Sequence, residues 1–280
     1  MAGPTDIPLT AVSATADRCT AVQRLAFALA LLAGSRAIQM RDLLLGRVPR
    51  RPAKAPGSTL TPLAIPSGRT MLDAVFAAPD SQRARATVLI CHGIGEVVQQ
   101  WMPIQRLLAA RGVASLVFDY SGYGRSTGWP APGQLEDDAV AAFERLRTLA
   151  SGPISLLGFS LGTGVVPAIL HRVPAHRLVL CAAFTRFREA ARGVGIPGFL
   201  SALVPPVWNS ERALRAAPHR VLLVHSTRDR LFHVAMAEKL AACCGERASL
   251  RIVEGLRHNE PFYKPTAAYW DPIADFLARE

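Results

Sequence analysis

One serine stands between two glycines near the middle of the chain, a spacing that suits a nucleophile. Residues 158–162 read G-F-S-L-G, with Ser160 at the centre. The apolar run 154–157 precedes this motif, and the apolar, uncharged stretch 161–171 follows it. Small flanking residues let a chain turn sharply from strand into helix and expose a serine hydroxyl at the turn. The sequence therefore predicts a nucleophilic Ser160, with an ordinary glycine-rich loop as the alternative.

A nucleophilic serine requires a base and an acid that orients the base, and both occur downstream. Asp229 comes after the apolar run 221–224, and His258 follows the β-rich run 250–253. This chain order of Ser, Asp and His differs from the orders in chymotrypsin and subtilisin. The alternatives are that Asp229 caps a helix and that His258 is a solvated loop histidine. Other histidines are expected at helix ends, on outer connections or in a buried strand: His171, His176, His219, His225 and His233.

Attack on an acyl carbonyl creates an oxyanion, which needs backbone N–H donors. The segment 91–96, C-H-G-I-G-E, follows a strand candidate, and its glycines allow the amide of Ile94 to point into the site. The second expected donor is the amide of Leu161. His92 is expected to hold the loop by hydrogen bonds, and Glu96 to line the pocket or face water. The residues expected to support the two turns are His92, Gly93, Gly95, Gly158 and Gly162.

A further glycine-rich turn completes a set of motifs. Residues 118–126 read F-D-Y-S-G-Y-G-R-S, after a strand candidate. With H-G-x-G, G-x-S-x-G, Asp229 and His258 in order, the chain resembles the α/β-hydrolase superfamily over roughly residues 59–280. The turn most resembles the ABHD12-, ABHD13- and ABHD17-like and Bem46-like hydrolases. The resemblance implies hydrolysis of an ester, thioester or amide through an acyl-enzyme, and Asp119 is interpreted as a brace for the turn.

Short apolar runs alternate with helical patterns along the chain. This alternation predicts a largely parallel sheet covered on both faces. The expected fold class is α/β, an α/β-hydrolase fold with an eight-stranded, mostly parallel sheet, helices on both faces and a short cap insertion. Strands are expected near 59–66, 70–78, 86–91, 114–119, 154–158, 176–183, 221–226 and 248–254. Helices are expected near 100–111, 136–150, 161–172, 234–244 and 266–278.

The chain is expected to have two parts, an N-terminal helix with a basic Pro-rich linker at 1–58 and a catalytic domain at 59–280. The apolar run 25–34 is shorter than the ~20 residues that a bilayer requires. A helix near 19–46 is therefore expected to pack on the domain or lie on a membrane surface. Residues 185–218 are expected to cap the pocket and line an acyl cleft, or to form a helical connection with its own packing.

The amino-acid composition limits which binding partners, cofactors and cellular locations are expected for this chain. The net charge is +11, but scattered arginines interleaved with acids and the lack of a nucleic-acid motif predict no nucleic-acid partner. Five cysteines without framework spacing fit a reducing compartment, so a cytoplasmic location is expected. Zinc-finger, P-loop and dinucleotide patterns are missing, which predicts no cofactor and no metal. The alternative location is a membrane surface, contacted through the N-terminal helix and basic linker.

These patterns predict a serine hydrolase that cleaves a carboxylic ester or thioester of a small-molecule acyl substrate. Three alternatives remain open: a peptidase or aminopeptidase on the same fold, an acyltransferase, and a non-catalytic binding protein. A peptidase would be favoured if acidic residues such as Glu189 or Glu211 faced the pocket and held an α-amine. The acyl length, the leaving group and the oligomeric state do not follow from the sequence.

Overall fold

A computed structural model describes residues 19–48, 58–79, 84–193 and 198–279. The strands are β1 Ser58–Ser67, β2 Thr70–Pro79, β3 Ala86–Cys91, β4 Val113–Phe118, β5 Ile154–Phe159, β6 Ala175–Cys181, β7 Arg220–Ser226 and β8 Ala248–Val253. They form one eight-stranded sheet in the order β1-β2-β4-β3-β5-β6-β7-β8. The pairs β1–β2 and β2–β4 are antiparallel and all the others are parallel. The predicted eight-stranded, mostly parallel sheet is confirmed.

Helices connect most of the parallel strands. They are α1 Ala21–Leu44, α2 Val98–Ala110, α3 Pro132–Arg147, α4 Gly162–Ile169, α5 Phe187–Gly193, α6 Ser210–Ala216, α7 Val234–Cys244, α8 Glu260–Tyr263 and α9 Ala267–Leu277. The start predicted for α3, residue 136, is wrong because the helix begins at Pro132. A proline suits the first turn, where its ring presets φ and its missing N–H leaves no bond unmade. The end predicted for α4, residue 172, is also too late.

The sheet has an apolar core on each face. Side chains alternate across a strand, and on β3 Val88 and Ile90 join one buried cluster while Leu89 joins the other. The first cluster includes side chains of α2 and α9, and the second includes side chains of α3, α4 and α7. Helices therefore cover both faces, as predicted. The carboxyl ends of the parallel strands lie along one edge, where the loops that carry the predicted site follow them.

Helix α1 packs on the rest of the chain. Phe27 is buried, and its ring centroid lies 5.3 Å from that of Phe187 and 5.6 Å from that of Trp208. Helix α1 therefore packs on the domain, which is one of the two placements expected for it. The apolar run 25–34 alone is shorter than a bilayer requires, but the whole of α1 has 24 residues and is long and apolar enough to cross a membrane by length and composition. Residues 1–18 and 49–57, with most of the predicted linker, lie outside the described residues.

The predicted cap insertion contains α5, a 3₁₀ turn at Gly198–Leu203 and α6. Trp208 is only 2% exposed, and its Nε1–H donates to Glu136 Oε1 at 3.0 Å. This tryptophan therefore belongs to the core, although the segment 185–218 that contains it was expected to line an acyl cleft. Phe199, by contrast, is 82% exposed. Pro197, another bulky residue of this segment, lies outside the described residues.

Candidate active site

Ser160 lies at a sharp turn between β5 and α4. Its φ is 50°, in the left-handed region that non-glycine residues rarely occupy. A side chain at Gly162 would collide with the carbonyl of Cys91, and one at Gly158 would collide with the backbone of Gly162. Both glycines are thus required by close backbone approach. The turn has the strand-turn-helix context expected of a nucleophile elbow.

Three residues that are far apart in sequence form one hydrogen-bonded chain. His258 Nε2 lies 2.8 Å from Ser160 Oγ, and His258 Nδ1 lies 2.6 Å from Asp229 Oδ2. All three side chains are buried. The loops after β5, β7 and β8 bring them together at the carboxyl edge of the sheet.

Asp229 is held by its own loop. Its Oδ1 accepts the backbone N–H of Leu231 at 2.9 Å and of Phe232 at 3.0 Å. The alternative that Asp229 caps the helix at 234–244 is wrong, since His233 occupies that position. Because Oδ1 is bound to the backbone, Oδ2 is directed at His258.

The electrostatics of this carboxyl favour its charged form. Burial raises the pKa of Asp229, but the hydrogen bond and charge of His258 and the backbone donors outweigh burial, and the pKa falls below its ordinary value. An ionised carboxylate only accepts hydrogen bonds, which assigns the proton of His258 to Nδ1. Nε2 is then the acceptor for the Ser160 hydroxyl.

Aromatic rings enclose the imidazole of His258. The ring centroid of Phe232 lies 5.0 Å away with its plane nearly perpendicular, and that of Phe159 lies 5.9 Å away. Phe232 follows Asp229 on the β7–α7 loop and Phe159 ends β5. Phe159, directly before Ser160, and Phe232, three residues after Asp229, therefore also restrict the orientation of His258.

Glu96 braces the predicted oxyanion loop. Its Oε2 accepts the N–H of Gly93 at 2.7 Å and the indole N–H of Trp101 at 3.0 Å. The expectation that it lines the pocket or faces water is wrong, because the side chain is buried beneath the loop. Burial raises the pKa of Glu96 to about 7, against the opposing influence of nearby His92. The sequence offered no signal that Glu96 braces the loop, apart from its position three residues after Gly93.

The two expected oxyanion donors lie on neighbouring segments. Leu161 has helical dihedrals at the start of α4, and Ile94 is at the centre of the loop that Glu96 braces. Gly95 has φ 73°, and a side chain there would collide with Ile38 of α1. Helix α1 therefore lies directly on this loop. The roles of the Ile94 and Leu161 amides remain predictions.

His92 and Asp119 support the same edge. His92 Nδ1 lies 2.8 Å from the carbonyl of Gly93, and its Nε2 lies 3.6 Å from Asp119 Oδ1. Asp119 Oδ1 accepts the N–H of Val98 at 2.8 Å, and Ser126 donates to the Asp119 carbonyl at 2.6 Å. These contacts agree with the interpretation of His92 as a loop support and of Asp119 as a brace. Neither residue belongs to the chain of hydrogen bonds that contains Ser160.

A cavity of about 470 Å³ opens beside His258. Sequence reasoning missed it because its walls come from α1, from the β7–α7 loop and from the segment around α8, with no local motif. Asp42 ties α1 to this region by accepting from Tyr263 Oη at 2.6 Å and from Gln100 Nε2 at 3.0 Å. The residues that line the cavity are Arg41, Arg47, Arg228, Arg230, Leu231, Arg257, His258, Asn259, Glu260, Tyr263 and Lys264.

Among the described residues, neither a metal-binding cluster of side chains nor a reactive thiol was found that could contribute to this site. Within the described ranges, no group of three or more His, Cys, Asp or Glu side chains could hold a metal ion. Burial raises the pKa of Cys91 and of Cys181 to about 12, so both remain thiols at neutral pH.

Comparisons with known proteins agree with this architecture. The family model described as serine aminopeptidase, S33, matches residues 82–212. The protein YfhR of Salmonella typhi is 30% identical over 220 residues, which cover 72% of this chain and 74% of that protein. Lysophosphatidylserine lipase ABHD12 of Gallus gallus is 26% identical over 167 residues, 53% of this chain and 44% of that protein. The Pyrococcus furiosus esterase Pf2001 superposes with a TM-score of 0.65 at 19% identity, covering 82% of this chain and 97% of that structure.

The sheet, the serine turn and these matches define the class of protein as an α/β-hydrolase. The chain belongs to this family and is a hydrolase, and it is similar to ABHD12 over about half of its length.

Proposed function

We propose that this hydrolase cleaves a carboxylic ester or thioester through an acyl-enzyme, with Ser160 as nucleophile, His258 as base and Asp229 as orienting acid. The observation that carries the proposal is the continuous hydrogen-bonded chain from Asp229 Oδ2 through His258 to Ser160 Oγ, at 2.6 and 2.8 Å. Together with the low pKa of Asp229, this chain supplies what activation of a serine hydroxyl requires.

Each group has one role in the proposed reaction. Ser160 Oγ attacks the acyl carbonyl as its proton passes to His258 Nε2, and ionised Asp229 stabilises the imidazolium. The amides of Ile94 and Leu161 donate to the oxyanion. His258 then protonates the leaving alcohol or thiol, and water repeats the cycle to release the acid and free Ser160.

The peptidase alternative has less support. Glu211 already forms ion pairs with Arg186 at 2.9 Å and with Lys239 at 2.6 Å. Glu189 accepts a hydrogen bond from the hydroxyl of Thr185. Both carboxylates are thus engaged and do not await an α-amine. The relative ABHD12 is named for a lipase activity, which is cleavage of an ester, and this favours an ester substrate here.

We also propose that the enzyme works at a membrane surface, the second of the two locations expected from its sequence. Apolar side chains of α1 face away from the domain, and the 3₁₀ turn at Gly198–Leu203 adds others. The net charge of +11 would favour an anionic lipid surface. The exposed apolar residues of these two segments are Val22, Leu25, Leu29, Met40, Leu43, Leu44, Phe199, Leu200 and Leu203, and Leu45 directly after α1 is exposed as well.

Hydrolysis of p-nitrophenyl esters from acetate to palmitate tests the catalytic proposal. Ser160→Ala is expected to lower kcat by a factor on the order of 10⁴ to 10⁶, because the nucleophile is lost. Ser151→Ala removes an exposed serine before β5 and serves as the matched control. A fluorophosphonate probe should label the native protein and not Ser160→Ala. Equal esterase activity in the native protein and Ser160→Ala would overturn the proposal.

A further inference from the structure

The cavity beside His258 carries an unusual excess of positive charge. Six of its lining side chains are cationic and one, Glu260, is acidic. The Oε2 of Glu260 accepts the backbone N–H of Arg257 at 2.6 Å, so this carboxylate is engaged within its own turn. The cationic residues are Arg41, Arg47, Arg228, Arg230, Arg257 and Lys264.

Most of this charge is not compensated within the fold. Asp42 pairs with Arg41 at 3.0 Å and lies 3.6 Å from Arg47. Across residues 19–48, 58–79, 84–193 and 198–279, no ion pair joins a carboxylate to the other four cationic side chains. Cations that converge on one concave space repel one another, and an anion placed among them relieves that repulsion.

The position of the cavity indicates which part of a substrate would enter it. His258 lines the cavity, and its Nε2 is 2.8 Å from Ser160 Oγ. In acyl transfer by a serine, the histidine gives its proton to the departing group. A leaving group that takes this proton from His258 would lie next to the cavity that His258 borders.

We propose that this cavity is an anion subsite, which binds a phosphate or carboxylate carried by the alcohol or thiol leaving group. The proposal rests on the proposed serine hydrolase function and specifies its substrate class. Arginine suits this task because its planar N–H groups bind phosphate and carboxylate oxygens in pairs. The volume of about 470 Å³ accommodates a charged head group and not only a small inorganic ion.

Helix α1 contributes to the subsite. Arg41 donates to the hydroxyl of Tyr263 at 2.9 Å, and the guanidinium of Arg47 lies 4.8 Å from the centroid of the same ring. Asp42 holds this end of the helix in place through Tyr263 and Gln100. Helix α1 and the turn that follows it thus supply one cation each, Arg41 and Arg47, to a site whose nucleophile lies in another part of the chain.

Three matched esters test the subsite: the octanoyl esters of glycerol, of glycerol phosphate and of glyceric acid. The first is neutral, the second carries a phosphate and the third a carboxylate. We expect kcat/KM for at least one charged ester to exceed that for the neutral ester by tenfold or more, and the preferred ester distinguishes phosphate from carboxylate. Arg230→Gln and Arg257→Gln should each lower this charged-to-neutral ratio by roughly tenfold, the effect of one charge-assisted hydrogen bond.

Arg220→Gln is the control, because it removes the same charge from an exposed position at the opposite end of β7. It should leave the ratio unchanged. If the probe labels Ser160 and the neutral ester is cleaved as fast as the charged esters, the hydrolase function stands and the anion subsite is overturned. Absence of both labelling and ester cleavage would overturn the proposed function. In that case, binding of glycerol phosphate to Ser160→Ala is measured by calorimetry. Binding that Arg230→Gln and Arg257→Gln weaken, and that Arg220→Gln leaves unchanged, would still support the subsite. Absence of binding would overturn the subsite as well.

Discussion

The two carboxylate oxygens of Asp229 have separate partners, so their contributions to stability and to activity can be measured separately. Oδ1 accepts two backbone N–H groups and Oδ2 faces His258 Nδ1 at 2.6 Å. Asp229→Asn keeps an acceptor for the backbone but directs an amide donor at the histidine, which favours the wrong tautomer. We expect kcat to fall by roughly 10⁴-fold with little loss of stability. Ester hydrolysis and thermal unfolding measure the two effects.

Asp229→Ala provides the comparison, since it removes both oxygens and should lower stability as well as activity. A kcat for Asp229→Asn within tenfold of the native value would contradict the assignment of Asp229 as the orienting acid.

Glu96 predicts a pH dependence of stability. Its folded-state pKa of about 7 exceeds the ordinary value of 4.5, so the folded protein holds this proton more tightly than the unfolded chain. The native state therefore loses stability as pH rises through this window, by about 2–3 kcal/mol between pH 5 and pH 8. Glu96→Gln keeps an acceptor for Gly93 and Trp101 but has no proton to lose. Urea unfolding at both pH values should show a smaller fall for Glu96→Gln, and an equal fall in both proteins would refute this.

The residues of the proposed triad were predictable from the sequence, but the contacts that hold them in place were not. Ser160, Asp229 and His258 each follow a strand and were identifiable because strand ends carry catalytic loops in this fold. The burial of Glu96 was hidden because nothing in C-H-G-I-G-E distinguishes a carboxylate beneath the loop from one in solvent. The contact between Asp42 and Tyr263 joins residues 221 positions apart, beyond the reach of any local pattern.

At the scale of elements, helix α1 is the part whose position depends most on long-range packing. The strands were predicted within a few residues because continuous apolar runs identify buried parallel strands. The start of α3 was missed because Pro132 was not treated as a first-turn residue. The apolar run 25–34 led to the expectation of a helix near 19–46, but the close approach of this helix to Gly95 of the predicted oxyanion loop emerged only from the structure.

The packing of α1 can be tested at Phe27, which lies between Phe187 and Trp208. Phe27→Ala should lower the free energy of unfolding by about 3–5 kcal/mol, because it removes a buried ring and leaves a cavity. Leu25→Ala is the control on the same helix, since Leu25 is 61% exposed, and should change stability by less than about 0.5 kcal/mol. Urea unfolding followed by tryptophan fluorescence suits the measurement because Trp208 reports on this contact. Equal effects of the two variants would contradict the docked position of α1.

The cationic cavity lies close to the apolar end of α1, which comprises Leu43, Leu44 and the following Leu45. Arg41 and Arg47 line the cavity, and the exposed residues Leu43, Leu44 and Leu45 lie between them in sequence. A surface that combines leucines with cations suits the interface of an anionic bilayer, where apolar burial and charge attraction act together. An enzyme bound there would have its cationic cavity near the lipid head groups.

Sedimentation with vesicles tests this orientation. The native protein should bind vesicles of phosphatidylcholine and phosphatidylserine more strongly than vesicles of phosphatidylcholine alone, and added salt should weaken the difference by screening. Replacing Leu43, Leu44 and Leu45 together by serine should lower the partition coefficient at least tenfold, because each leucine contributes about 1.5 kcal/mol or more when buried in lipid. The double variant Leu250→Ser and Ile252→Ser changes half-exposed apolar residues on the edge strand β8 and should bind like the native protein. Equal losses in both variants would show that binding follows general surface hydrophobicity and not the end of α1.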